Sequence, residues 1–241
     1  MDYWNGFRCA EFEFDGKKAI VVFPEDSVKT GKWMLKTEYF NAFPALQIDL
    51  LKKGFHLAYI ENTNRWGLRA DLKRKAEFAG FIAEKYGLEE KCVPIGMSCG
   101  GLFAIKFASL YPQKVTLLYL DAPVVNLLSC PARLGIRYEQ QIALEEMYRA
   151  LGLNASTLLS YRDHPLDHLP NLIRNRIPAI LVYGDSDRTV YFEENAALVE
   201  QAYAGTGIPF QSIIKHGGDH HPHGLPDNTP VVDFILKYAY Q

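Results

Sequence analysis

The chain has 241 residues, 48% of them hydrophobic and 22% charged, the balance of a globular protein with a sizeable interior, which excludes disordered and fibrous classes. Its 26 basic and 28 acidic residues leave a formal net charge of -2, so no general field draws phosphate backbones or anionic lipid to the surface. Nucleic acid is therefore not an expected partner, and neither is a membrane, since no run of 18 apolar residues occurs.

The first ten residues lack a basic stretch followed by an apolar one. Cys9, Cys92, Cys99 and Cys130 match neither a zinc-ligand nor a disulfide-framework spacing. Both features point to a reducing, cytoplasmic setting. One domain over residues 1–241 is expected at this length.

Phe7 to Phe14 and Lys17 to Pro24 read as two strands around Asp15-Gly16, the dipeptide of a tight hairpin. Lys32 to Thr37 reads as a third strand. Pro44 to Lys53 carries Leu46, Leu50 and Leu51 at helical spacing, and Phe55 to Ile60 is an apolar strand. Leu68 to Tyr86 is a long amphipathic helix closed by Gly87. Val93 to Gly96 is a short buried strand, followed by a turn at Met97-Ser98-Cys99 and a helix over Gly101 to Tyr111. Val115 to Leu120, Ile177 to Tyr183 and Phe210 to Lys215 have the continuous apolar character of parallel strands covered on both faces, and Val231 to Tyr240 is a closing helix. The polar, helical segment 124–177, including Glu139 to Leu151, interrupts this rhythm and reads as an insertion above the site.

The chemistry concentrates in three places. Gly96-Met97-Ser98-Cys99-Gly100 is a Gly-x-Ser-x-Gly sequence between a strand and a helix, where glycines permit a turn tight enough to expose Ser98. That turn also aims the Cys99 N–H toward a nascent oxyanion at a helix start. A serine nucleophile needs a base and a group to orient it. The loop Gly184 to Val190 offers Asp185 and Asp187 for the orienting acid, and Asp121 after the preceding strand is a third candidate. His216, His220, His221 and His223 follow the last strand; His220, after Gly217-Gly218-Asp219, best fits a loop-borne base, with His221 second. Four close histidines also suit zinc, but no Cys or second His/carboxylate cluster at ligand spacing supports a metal, and none is expected.

Through the order Ser98, Asp187, His220 on a strand, turn and helix framework, the chain resembles the α/β-hydrolase superfamily over nearly its whole length. Gly31-Lys32-Trp33, Glu38-Tyr39-Phe40, Leu51 to Ile60, Asp121-Ala122-Pro123 and His220-His221-Pro222-His223 look like bacterial hydrolases of the prolyl-oligopeptidase-type and carbohydrate-esterase branches. The resemblance implies an α/β fold with a mostly parallel eight-stranded sheet, helices on both faces and a helical cap. It favours Asp187 over Asp185 as the acid. It also implies an oxyanion hole built from the Cys99 N–H and, where relatives carry His-Gly, the N–H of Glu38 or Tyr39; a mere ion pair at Glu38 is the alternative. Such relatives often place Arg after the nucleophile, where this chain has Cys99.

The expected activity is cofactor-free hydrolysis of a small-molecule ester through an acyl-enzyme. A peptidase and a catalytically silent binding module of the same fold are the alternatives. The ester is preferred because nothing resembles a large substrate-screening accessory domain. Trp66, Tyr138, Tyr148, Tyr161 and Tyr191 are candidates to line an acyl or sugar pocket, against the reading that they simply pack.

Overall fold

The computed structural model describes residues 2–133 and 141–240. Nine strands form one sheet in the order β1-β2-β3-β5-β4-β6-β7-β8-β9. The first edge is antiparallel: β1 (Asp2–Trp4), β2 (Phe7–Phe14) and β3 (Lys17–Val22) meander before β3 pairs with β5 (His56–Ile60). Asp15 and Gly16 both have positive φ, 50° and 70°, which matches the right-handed strand twist and sets the register Phe14 opposite Lys17. From β5 onward all pairing is parallel, through β4 (Trp33–Lys36), β6 (Val93–Met97), β7 (Leu118–Asp121), β8 (Ala179–Gly184) and β9 (Phe210–Lys215).

The expected eight strands are nine because Asp2–Trp4 pairs with β2. Three residues carry no periodicity of their own, so this strand exists only through its neighbour.

Side chains alternate between two cores, as the period of two in a strand demands. Leu181 and Ala179 of β8 face one core, Ile180 and Val182 the other. The first core is covered by α2 (Arg69–Tyr86), α3 (Cys99–Leu110), α6 (Pro165–Arg174) and α7 (Ala196–Tyr203); the second by α1 (Ala45–Lys52) and α8 (Thr229–Ala239). The helix α7, between β8 and β9 in the chain, has no counterpart among the elements expected from sequence; its eight residues bury Ala196, Val199 and Tyr203 in the first core. Among the described residues no helix is long and apolar enough to cross a membrane.

Between β7 and β8 lie α4 (Gln141–Leu151), α5 (Ala155–Ser160) and α6. The start of the helix expected at Glu139 falls outside the described residues. Met147 of α4 and Leu158 of α5 are buried in the first core. Leu169 and Leu172 of α6 are core residues, and the helix packs on α3, so this part of the 124–177 segment belongs to the helical layer over the sheet.

Candidate active site

Ser98 sits between β6 and α3 with φ 52° and ψ -121°, a conformation that disfavours any side chain bearing a Cβ. Three backbone hydrogen bonds hold it there. Its N–H donates to the Asp121 carbonyl at 3.0 Å, and its carbonyl accepts from the N–H of Gly101 at 2.9 Å and of Val124 at 3.0 Å. The flanking glycines are needed for space. A Cβ on Gly96 would lie 2.7 Å from the Gly100 carbonyl oxygen, one on Gly100 would lie 3.1 Å from Thr37 Oγ1, and one on the next residue, Gly101, would lie 2.4 Å from Pro123 Cβ. Gly-x-Ser-x-Gly therefore reads here as a packing requirement around a strained, partly exposed hydroxyl.

The loops after β8 and β9 deliver the other two groups. His220 Nε2 lies 3.1 Å from Ser98 Oγ, and His220 Nδ1 lies 2.7 Å from Asp187 Oδ2. The other Asp187 oxygen accepts from the N–H of Thr189 and of Val190, both at 2.8 Å, which fixes the plane of the carboxylate. Asp187 and His220 are buried. The two loops touch: the Ser186 N–H donates to the Gly218 carbonyl at 3.0 Å, and a Cβ on Gly184 would stand 2.1 Å from that same oxygen. Asp219 Oδ1 accepts from the N–H of both Arg188 and His220, tying acid loop to base loop again. Arg133 braces the acid loop from outside by donating to the Arg188 carbonyl at 2.7 Å.

The rival residues have partners elsewhere. Asp185 is exposed, 3.1 Å from His216 Nδ1, and accepts from the Gly217 N–H. Asp121 is fully buried and 3.1 Å from His223 Nδ1; it also accepts from the Tyr119 hydroxyl at 3.0 Å and from the Gly224 N–H. Burial pushes its carboxyl up, but His223, Lys215 and that N–H more than reverse this and hold it below the usual range. His221 stacks on Phe43 and is exposed. Sequence reasoning missed this second carboxylate–imidazole pair, although Asp121 at a strand end and His223 in the base loop were both in view.

At the elbow, the Cys99 N–H belongs to the first turn of α3, whose N–H groups have no intrahelical acceptor. The turn after β4 lies against it. The Thr37 hydroxyl is 2.7 Å from the Gly100 carbonyl oxygen, and the Glu38 nitrogen would be 3.6 Å from a Cβ on Gly100. Tyr39 has φ 54°, and the Glu38 carboxylate accepts from the Asn62 side-chain amide. Burial pushes the Cys99 thiol up to about 11, so it is protonated at neutral pH although the Tyr39 hydroxyl hydrogen-bonds to it. Arg65 stands within electrostatic reach of Cys99 and Tyr39 and is gripped by the α4 carboxylate of Glu146 at 2.6 Å and 3.2 Å. Sequence reading gave no sign of this clamp, whose partners are 81 residues apart.

The aromatic candidates are dispersed. Trp66 is a core residue whose Nε1 donates to Glu146, Tyr148 and Tyr161 pack against the same core, and Tyr191 lies under the Arg133 guanidinium. Tyr138 falls outside the described residues.

No protein-family model matches the chain. Solved structures do. A puromycin hydrolase mutant in complex with PGG superposes with a TM-score of 0.70 at 18% identity over 99% of this chain and 40% of the other. Porphyromonas gingivalis dipeptidyl peptidase 4 gives 0.69 at 17% identity over 99% of this chain and 35% of the other. A second structure of puromycin hydrolase gives 0.67 at 17% identity, covering 95% and 37%. The chain thus spans well under half the length of these proteins. What is shared is the architecture: the chain has the α/β-hydrolase fold, a large, mostly parallel sheet flanked by helices.

Proposed function

We propose that the protein is a serine hydrolase that cleaves an acyl bond through a covalent acyl-enzyme, with Ser98 as nucleophile, His220 as base and Asp187 as orienting acid. The observation that carries this reading is the unbroken chain of contacts from Asp187 Oδ2 through His220 to Ser98 Oγ, at 2.7 Å and 3.1 Å. His220 takes the Ser98 proton as the oxygen attacks the carbonyl carbon. Asp187 steadies the imidazolium, which returns that proton to the leaving group. Water, deprotonated by the same imidazole, then releases the acid and frees Ser98. The Cys99 N–H and the N–H of Glu38 or Tyr39 stabilise the tetrahedral oxyanion, each donor worth about 3 kcal/mol in comparable sites.

For the bond cleaved, an amide or peptide now stands ahead of the ester expected from sequence. The structures of similar fold are called puromycin hydrolase and dipeptidyl peptidase 4. The argument for an ester, that no accessory domain is recognisable, has little force for a chain spanning 35–40% of such proteins. The mixed-charge Arg65–Glu146 wall beside the elbow also suits a polar acyl group better than a plain hydrocarbon one.

The test is a matched panel of aminoacyl and dipeptidyl anilides against acetyl, longer acyl, feruloyl and methyl-uronate esters, with a fluorophosphonate probe alongside. Wild type should be labelled and Ser98→Ala should not. Turnover of esters alone would return the assignment to an esterase. No labelling of wild type would leave a silent binding module as the better reading.

A further inference from the structure

The histidine-rich loop contains more imidazole than a proton relay needs. His220, His221 and His223 each offer a ring nitrogen, and the three nitrogens lie within 4.8 Å of one another. Their ring centroids are 4.7, 4.8 and 5.1 Å apart. Two of the rings are held from behind by buried carboxylates: Asp187 takes Nδ1 of His220 and Asp121 takes Nδ1 of His223. A carboxylate on one imidazole nitrogen fixes the tautomer and makes the other nitrogen a better metal ligand. The third ring, His221, is exposed, so an ion has a path from solvent. His216, the fourth histidine, is apart from the trio and pairs with Asp185.

We propose that His220, His221 and His223 form an inhibitory site for a borderline divalent cation, zinc(II) above all, in which the metal occupies the nitrogen that otherwise accepts the Ser98 proton. Three neutral imidazoles suit zinc, with water as the fourth ligand. Nitrogens around one tetrahedral zinc at ~2.1 Å stand ~3.4 Å apart, so the trio closes by about an ångström when the ion enters. Closure draws His220 Nε2 from its place 3.1 Å from Ser98 Oγ. The metal and the serine thus compete for one lone pair. This metal plays no part in turnover; it is a brake. The inhibitory half of the proposal rests on the hydrolase reading above, whereas the binding half does not.

The experiment separates the two. Zinc(II) is titrated calorimetrically into Ser98→Ala protein, and cobalt(II) is followed by its visible absorption in the same protein. One ion per chain should bind. His221→Ala should weaken it at least tenfold, as should His223→Gln, whose folding is checked by circular dichroism; His216→Ala should leave it unchanged. In wild type, zinc should suppress fluorophosphonate labelling over the concentration range in which it binds, with recovery on adding EDTA. Absence of binding, or an affinity indifferent to both His221→Ala and His223→Gln, overturns the site. Zinc that binds while labelling of Ser98 proceeds at its full rate overturns the brake. A wild type that is never labelled refutes the hydrolase reading and leaves the calorimetric result to decide the site alone.

Discussion

Two carboxylate–imidazole pairs of the same composition stand side by side at the end of the sheet, and only one reaches Ser98. Asp187–His220 joins two loops and ends 3.1 Å from Ser98 Oγ. Asp121–His223 joins a strand end to the base loop, with the Tyr119 hydroxyl and the Gly224 N–H closing round the carboxylate and Lys215 3.9 Å away. The chemistry of the pair does not decide its use; what the far nitrogen meets does. In the proposed mechanism the first pair carries a charge that appears and vanishes during turnover. The second fixes the base loop in a fully buried setting.

This contrast is easiest to break by exchanging acid for amide. Asp187→Asn should lower kcat by about 10⁴ with little change in Tm, because it presents the wrong tautomer to Ser98 while the fold is undisturbed. Asp121→Asn should instead cost about 2–4 kcal/mol of stability, since it removes the charge from a buried, hydrogen-bonded pair, and should leave folded molecules within tenfold of wild-type kcat. Parallel denaturation and steady-state measurements decide; equal effects of the two on kcat would mean that the pairs share one role. His220→Ala should abolish turnover in a folded protein while His221→Ala without added metal retains substantial activity. The reverse outcome would reassign the base.

A subtler probe lies at the opposite end of the parallel strands, at the start of β5. His56 is buried with both ring nitrogens unpartnered among the described residues, and burial lowers it from 6.5 to about 4. A group kept neutral in this way contributes its full stability above about 6.5 and loses it as pH falls toward 4, because the unfolded chain takes up the proton first. The loss is on the order of 2–3 kcal/mol. His56→Leu should flatten the stability profile between pH 6.5 and 4 at little cost near neutrality, since no hydrogen bond is broken. An unchanged profile would locate the acid sensitivity elsewhere. Unlike His220 and His223, this histidine has no carboxylate hydrogen-bonded to its ring among the described residues.

The site was legible where its signals are local. Gly96 to Gly100 announces a tight turn, and the hairpin at Asp15-Gly16 needs only two residues to specify it. The choice of Asp187 over Asp185 lay beyond local reading, because it depends on which loop each oxygen faces: His216 takes one and His220 the other. The place of β4 between β5 and β6 is likewise a matter of pairing across the sheet, invisible in the run Trp33–Lys36 itself. The Asp121–His223 contact spans 102 residues, and the Arg65–Glu146 clamp also depends on the chain having folded. Side chains that meet only in three dimensions leave no period or spacing to read.

The near-touching main chains at Gly184 and Gly218 give the relay a mechanical character. Acid and base hang from adjoining strand ends whose backbones leave no gap to compress, so the spacing of their side chains is inherited from the pitch of β8 against β9. Cushioning is absent there: a methyl group inserted at Gly184 would act as a wedge and splay carboxylate from imidazole. In the neighbourhood of that joint, the outermost parallel strand works less as a wall of the core than as the ruler by which the proposed proton path is measured.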